Sequence, residues 1–193
     1  MDDNVMVQIK NFMIKKTGWL LLLVLCGFAP KLKKTNMGNG ITMSVPADWR
    51  PMDNLDFTER YPSVRAPLAA YTDSEREADI SVNISATQWP DADVVLAKSF
   101  FKASLLNMFD KVEIINEGVK TIRKKKYIYF EFTSRVNGNR RNESLREPVL
   151  KYCYIQYLIE PGRTLVFTFN CPKRMQQTWQ PVAQKMMDTM RVR

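Results

Sequence analysis

The 193-residue chain has no histidine. With no imidazole to accept a proton, Ser-His and Cys-His nucleophilic sites are excluded. A serine-lysine dyad stays formally open, but no lysine stands in an apolar stretch that would depress its pKa. Cysteine is scarce at three residues, Cys26, Cys153 and Cys171, too few for a metal site without further ligands. Internal repeats and low-complexity tracts are lacking, and no apolar run reaches the ~20 residues of a comfortable membrane span.

What is present is enough for one domain: 45% of the residues are hydrophobic, and the formal net charge is +9. With Lys10, Lys15 and Lys16 set against Asp2 and Asp3, the first 29 residues contribute only one unit of that charge. The basic excess permits attraction to anionic surfaces without naming a partner.

The segment "MIKKTGWLLLLVLCGFAP" carries a lysine pair, an uncharged apolar run from Trp19 to Phe28, and then Ala29-Pro30. This is the pattern of an export signal, with Met13 a candidate start. Three outcomes are open for residues 1–29: cleavage after Gly27-Phe28-Ala29, lipidation of Cys26 (although Leu25 stands where lipoprotein processing wants a small residue), or retention as an anchor. Each places the folded part outside the cytoplasm, periplasmic or membrane-anchored. Residues 30–40 read as a linker and 41–193 as a single domain.

Within that domain, "ITMSVPADW" is a short alternating strand closed by Pro46, with Trp49 capping one end of the core. A second strand is expected around Ala69–Thr72. "DISVNISATQW" alternates as a half-buried strand. After Pro90 the period changes to 3.6: Val94, Ala97, Phe101, Leu105 and Met108 form a helical stripe that Phe100, Leu106 and Phe109 widen, with Asp91 and Asp93 at its positive end. "VEIINEGVKTI", bent at Gly118, and "KKYIYFEFTSRV" are strands. "YCYIQYLIEPGRTLVFTFNC" is a hairpin around Pro161-Gly162, and the chain ends in a helix with Trp179, Val182, Ala183, Met186 and Met190 inward and Pro181 at its start. The order predicts an α+β domain: a central antiparallel sheet of about six strands flanked by helices.

The hairpin leaves two registers open. A symmetric fold about Gly162 opposes Cys153 and Cys171 within disulfide reach, and its apolar match favours it. A tight two-residue turn pairs Cys153 with Asn170 and puts the thiols on opposite faces. An oxidising compartment would let a disulfide persist.

Carboxylates cluster at Asp53, Asp56 and Glu59 and at Asp73, Glu75, Glu77 and Asp79. Hydrolase chemistry needs two of them at fixed separation, which spacing does not show. The second set lacks a calcium-loop pattern, has Arg76 in its middle, and reads as a solvated loop. The run Arg123-Lys124-Lys125-Lys126 precedes one strand and Arg140, Arg141 and Arg146 follow it. Tyr127, Tyr129, Tyr152 and Tyr154 interleave as a candidate stacking surface, so these tyrosines and the basic run form a candidate partner surface. In an exported protein nucleic acid is the weaker reading and an anionic membrane surface the better match; the competing reading is a lysine-protected sheet edge. Asn83-Ile84-Ser85 and Asn142-Glu143-Ser144 match the glycosylation pattern and are given no role.

Taken in order, "ITMSVPADW", "DADVVLAKSFFKASL", "GVKTIRKKKYIYFEF" and "YCYIQYLIEPGRTLVFTFNCP" leading into "WQPVAQKMMDTMRV" resemble the PsbP-like and Mog-like superfamily over about residues 38–192. That resemblance implies an α/β/α sandwich serving as a non-catalytic, partner-binding platform. Its members include photosystem accessory proteins, regulators of a nuclear transport GTPase and secretion chaperones. Metal-binding histidines of the plant members have no counterpart here. The expectation is an accessory protein of the cell envelope, without cofactor, that binds an unidentified envelope protein or ligand through the groove between helix 93–109 and the sheet or through the tyrosine-rich face. The alternatives are a carboxylate-dependent hydrolase and, if the leader is misread, a cytoplasmic secretion chaperone.

Overall fold

A computed structural model of the chain describes residues 30–61, 66–87, 89, 93–137 and 147–193. The leader with Cys26, the arginines at 140, 141 and 146, Asp91 and the sequon at 142–144 lie outside the described residues. In chain order the elements are β1 (Leu32–Asn36), β2 (Ile41–Pro46), β3 (Arg50–Pro51), α1 (Asn54–Arg60), β4 (Ala69–Thr72), β5 (Asp79–Ile84), α2 (Val94–Met108), β6 (Lys111–Ile122), β7 (Lys125–Val136), β8 (Val149–Glu160), β9 (Arg163–Pro172), a 3-10 turn (Lys173–Met175), α3 (Gln176–Asp188) and β10 (Arg191–Val192).

Seven strands in the order β3-β4-β5-β9-β8-β7-β6 make the main sheet, and β1-β2-β10 a small second one; all pairs are antiparallel. The strand at Ile41–Pro46 thus leaves the central sheet for the small one, where Ile41, Met43 and Val45 still point into the core. Its partner β1 occupies the expected linker. The sequence "LKKTN" shows no apolar face to mark it as a strand; backbone pairing to β2 forms it, through a turn whose Gly38, Asn39 and Gly40 all have positive φ (78°, 49° and 74°). The two-residue β3 and the seven-residue α1 also went unread, being too short for a periodicity to show.

Both faces of the main sheet are covered. Ile128, Phe130, Phe132, Cys153 and Tyr157 pack with Ala97, Phe101 and Leu105 of α2. Tyr127, Tyr152, Tyr154, Phe167 and Phe169 pack on the other face with Val182, Ala183, Met186 and Met187 of α3 and with β2. A strand buried on both sides reads as a continuous apolar run, which is why "YIYF" shows no polar alternation. Phe101 lies flat on Tyr157, with ring centroids 4.1 Å apart at 4°. Asp93 caps α2, accepting from the backbone N–H groups of Val95 and Leu96 at 3.0 Å each.

Several local expectations change. Met108 is 65% exposed, outside the buried stripe of α2. Pro181 lies inside α3 rather than at its start, because the 3-10 turn and Gln176 begin the helical path earlier. Gly118 does not bend β6: the irregularity is a bulge at Ile115, and Gly118 makes room for the Tyr129 ring, whose Cε1 and Oη lie 3.1 Å from where a Cβ would stand.

The β8–β9 hairpin takes the tight register. Glu160 pairs with Arg163 across Pro161-Gly162, with Gly162 at φ 78° as a type II turn requires. Cys153 therefore opposes Asn170 and Cys171 opposes Tyr152, so the thiols face opposite cores and both are free, which removes the disulfide that the symmetric register allowed. An apolar match could not choose the register because both faces of these strands are buried and either register opposes apolar residues. Burial pushes the Cys153 thiol up to about 11 and the Cys171 thiol to about 12, so both stay protonated.

Candidate functional site

The carboxylate clusters serve the fold. Asp53 caps α1 and accepts from the Asp56 backbone N–H at 2.9 Å, while the Asp56 carboxylate accepts from the Asp53 N–H at 3.0 Å, a capping box. Asp56 is buried and also takes Arg50 Nη1 at 2.7 Å, with Arg76 Nε 2.7 Å away. The Arg50 hydrogen bond holds its carboxyl at about 2, below the ordinary range. Arg76 pairs with Glu59, Arg60 with Asp79 and Arg174 with Glu77. Asp73 accepts from the backbone N–H groups of Glu77 and Ala78 at 2.7 and 3.0 Å. The segment expected as a solvated loop is therefore a tied corner, in which Asp73 and Asp79 are buried.

The tyrosine surface is interior. Tyr127, Tyr152 and Tyr154 are buried beneath α3 and β2, and Tyr129 is half-buried. Tyr129 and Tyr154 stack on each other with Lys120 Nζ 5.4 and 5.2 Å from their ring centroids, and Lys120 also pairs with Asp188 of α3 at 2.6 Å. They are not available as stacking platforms, because a helix covers the face that was expected to be open. The basic run splits: Arg123 and Lys124 form the β6–β7 turn with φ of 48° and 69°, Lys125 pairs with Glu160 at 2.5 Å, and Lys126 is exposed.

A polar centre lies where sequence reading had none. Glu131, 1% exposed on β7, accepts from Tyr152 Oη at 2.8 Å, Gln180 Nε2 at 2.6 Å and Gln184 Nε2 at 3.0 and 3.1 Å. Burial, and then this carboxylate, push the Tyr152 phenol up, so it remains the donor. The network pins α3 to the sheet. Its signal was a single acid between Phe130 and Phe132.

The surface with most to offer a partner is α2. Its exposed positions are Val95 (77%), Leu96 (59%), Phe100 (41%), Leu106 (46%) and Met108 with Ser99, Ala103 and Asn107, none of them charged. The only charges on the helix, Lys98 and Lys102, turn down to Glu117 of β6 at 3.1 and 2.9 Å. A surface helix normally carries charge on its outer side, which this one does not. Beside its first turn lies a groove of about 500 Å³ with Val94, Ile128, Tyr157 and Ile159 on its floor and Lys124, Lys126 and Glu160 on its rim. Part of the expected groove between helix and sheet is thus present. Among the described residues no helix is long and apolar enough to cross a membrane.

This architecture is the PsbP/Mog-like fold. The cyanobacterial PsbP (CyanoP) of Synechocystis sp. PCC 6803 superposes with a TM-score of 0.58 at 14% identity, covering 88% of this chain and 96% of that one. The Ran-binding protein Mog1p of Saccharomyces cerevisiae gives 0.52 at 15%, over 84% and 96%. LpqN, involved in cell envelope biogenesis of Mycobacterium tuberculosis, gives 0.54 at 16%, over 83% and 89%. No family model and no curated sequence matches the chain. At these identities the likeness establishes the fold alone.

Proposed function

We infer that this chain is an exported, non-catalytic accessory protein of the cell envelope, whose PsbP/Mog-like domain binds an envelope protein through the outer face of α2 and the adjoining groove. The observation that carries this reading is the uncharged, exposed side of α2, where Val95, Leu96, Phe100 and Leu106 stand in solvent while both helix lysines are tied to Glu117. Contiguous apolar surface of this kind marks interaction sites. The involvement of LpqN in envelope biogenesis and the Ran binding of Mog1p are in keeping with a partner-binding use of the fold, and the leader pattern at residues 13–30 supports export. The ion pairs of Asp56, Glu59, Glu77 and Asp79 weigh against a carboxylate-dependent hydrolase at this corner.

The test is affinity capture from cross-linked envelopes with the wild-type chain and with Leu96→Lys. One stoichiometric envelope protein, lost in the variant, is the expected result. Capture unaffected by Leu96→Lys, or reproducible small-molecule turnover by the purified protein, would overturn the reading. Fractionation with mass spectrometry of the mature N-terminus tests export separately.

A further inference from the structure

On the sheet face opposite α2, the β6–β7 turn meets the small sheet β1-β2-β10. Between them is a cavity of about 320 Å³ lined by Lys34, Arg123, Lys125, Arg191 and Arg193, with Tyr127 also on its wall and no aspartate or glutamate side chain. Lys125 is neutralised by Glu160. Lys34, Arg123, Arg191 and Arg193 form no ion pair among the described residues, whereas Arg50, Arg60, Arg76 and Arg174 are each paired with a carboxylate. Four unpaired cations around one hollow concentrate a positive potential that single solvated lysines do not.

Tyr127 and the β6–β7 turn complete the lining. Tyr127 is 1% exposed and its side chain lines the cavity. Burial, and then the charge of Glu160, push this phenol up to about 12, so at neutral pH it keeps its proton and can donate. The turn at Arg123-Lys124, with both residues in the left-handed conformation, brings Arg123 to this cavity and Lys124 to the groove beside α2.

We propose that this cavity binds a phosphate-bearing ligand, its charge met by Lys34, Arg123, Arg191 and Arg193 and one phosphate oxygen accepting a hydrogen bond from the Tyr127 hydroxyl. A monovalent carboxylate would leave most of the charge unmatched, whereas a multiply charged phosphate does not, and the guanidinium fork fits two of its oxygens at once. The volume is at the small end for ligand sites, in keeping with a headgroup-sized anion. The proposal stands independently of partner binding by α2.

The experiment is calorimetric titration of the full-length chain with inorganic pyrophosphate at about 0.15 M ionic strength, beside flotation with phosphatidylcholine vesicles with and without phosphatidic acid. The variants are Arg191→Gln with Arg193→Gln, Tyr127→Phe and, as a charge control on the same strand as Lys34, Lys33→Gln; thermal melts confirm that each folds. The expected result is binding that weakens at least tenfold in the arginine double variant and about tenfold in Tyr127→Phe, with no change in Lys33→Gln. Tyr127-dependent binding to pyrophosphate alone assigns the phosphate to a soluble ligand, and Tyr127-dependent binding to phosphatidic acid vesicles assigns it to a lipid headgroup; either supports the site. Binding to neither probe, insensitivity to Tyr127→Phe, or equal loss in Lys33→Gln overturns it.

Discussion

Replacing Glu131 with alanine tests the claim that a buried carboxylate fastens α3 to the sheet. Four hydrogen bonds from three neutral side chains end on this group, and among the described residues no cation pairs with it. Hydrogen bonds to a charged acceptor contribute roughly 1.5–3 kcal/mol each, but they are offset by the desolvation of the carboxylate, which alanine no longer incurs. Gln180 and Gln184 are part-buried and can turn to water, whereas Tyr152 is fully buried and is left with an orphaned hydroxyl. One stranded buried donor costs about 1–3 kcal/mol and the emptied space adds to it, so the net loss expected is about 2–4 kcal/mol. Glu131→Gln keeps the shape and one acceptor oxygen and should lose about 1–2 kcal/mol. Urea unfolding followed by tryptophan fluorescence measures this, since Trp49 and Trp179 lie in the same core, 5.2 Å apart. Combining Glu131→Gln with Tyr152→Phe should show a coupling above about 0.5 kcal/mol. A Glu131→Ala loss below about 1 kcal/mol, or strict additivity of the pair, would refute the fastening role.

Asp56 has a folded pKa of about 2 against an ordinary 3.8, so its contribution is complete above that ordinary value and is lost as pH falls toward 2; urea melts over this range should show an acid loss that Asp56→Asn lacks. Gly118→Ala should destabilise by about 1–2 kcal/mol, because the new methyl meets the stacked Tyr129 ring, and Gly118→Ala combined with Tyr129→Leu should recover part of that loss in the same assay. A Cys26→Ser chain, denatured without reductant, should titrate two thiols, neither reactive in the native state; a count of none would restore the disulfide. Leu96→Lys should leave the urea midpoint almost unchanged, since the side chain stands in solvent, which separates loss of partner capture from loss of fold.

Most of the architecture was readable because it rests on long periodic segments. The strand at Asp79–Ile84, the change of period after Pro90 and the inward stripe of α3 each appear where their patterns place them, although β5 is buried on both faces rather than one and Ile84 is 39% exposed. What escaped reading shares a cause. Short elements such as α1, β3 and β10 have too few residues to show a period, and β1 has no apolar face. The site was less legible still: "YIYF" is equally compatible with an aromatic platform and with a strand enclosed on both sides.

Local chemistry along the chain was sufficient for the absence of imidazole catalysis, the alternation of strands and helices, the acidic start of the helix at Asp93 and a hairpin around Pro161-Gly162. These follow from residue identity and neighbours a few positions away. The register of Cys153 and Cys171, the burial of the tyrosines, the unpaired cations around Tyr127 and the open apolar side of α2 followed from packing between segments far apart in the chain, such as Lys34 and Arg191. A side chain's neighbours across a sheet or beneath a helix depend on which elements stack on which face, and in a sheet covered on both sides neither face announces itself in the pattern.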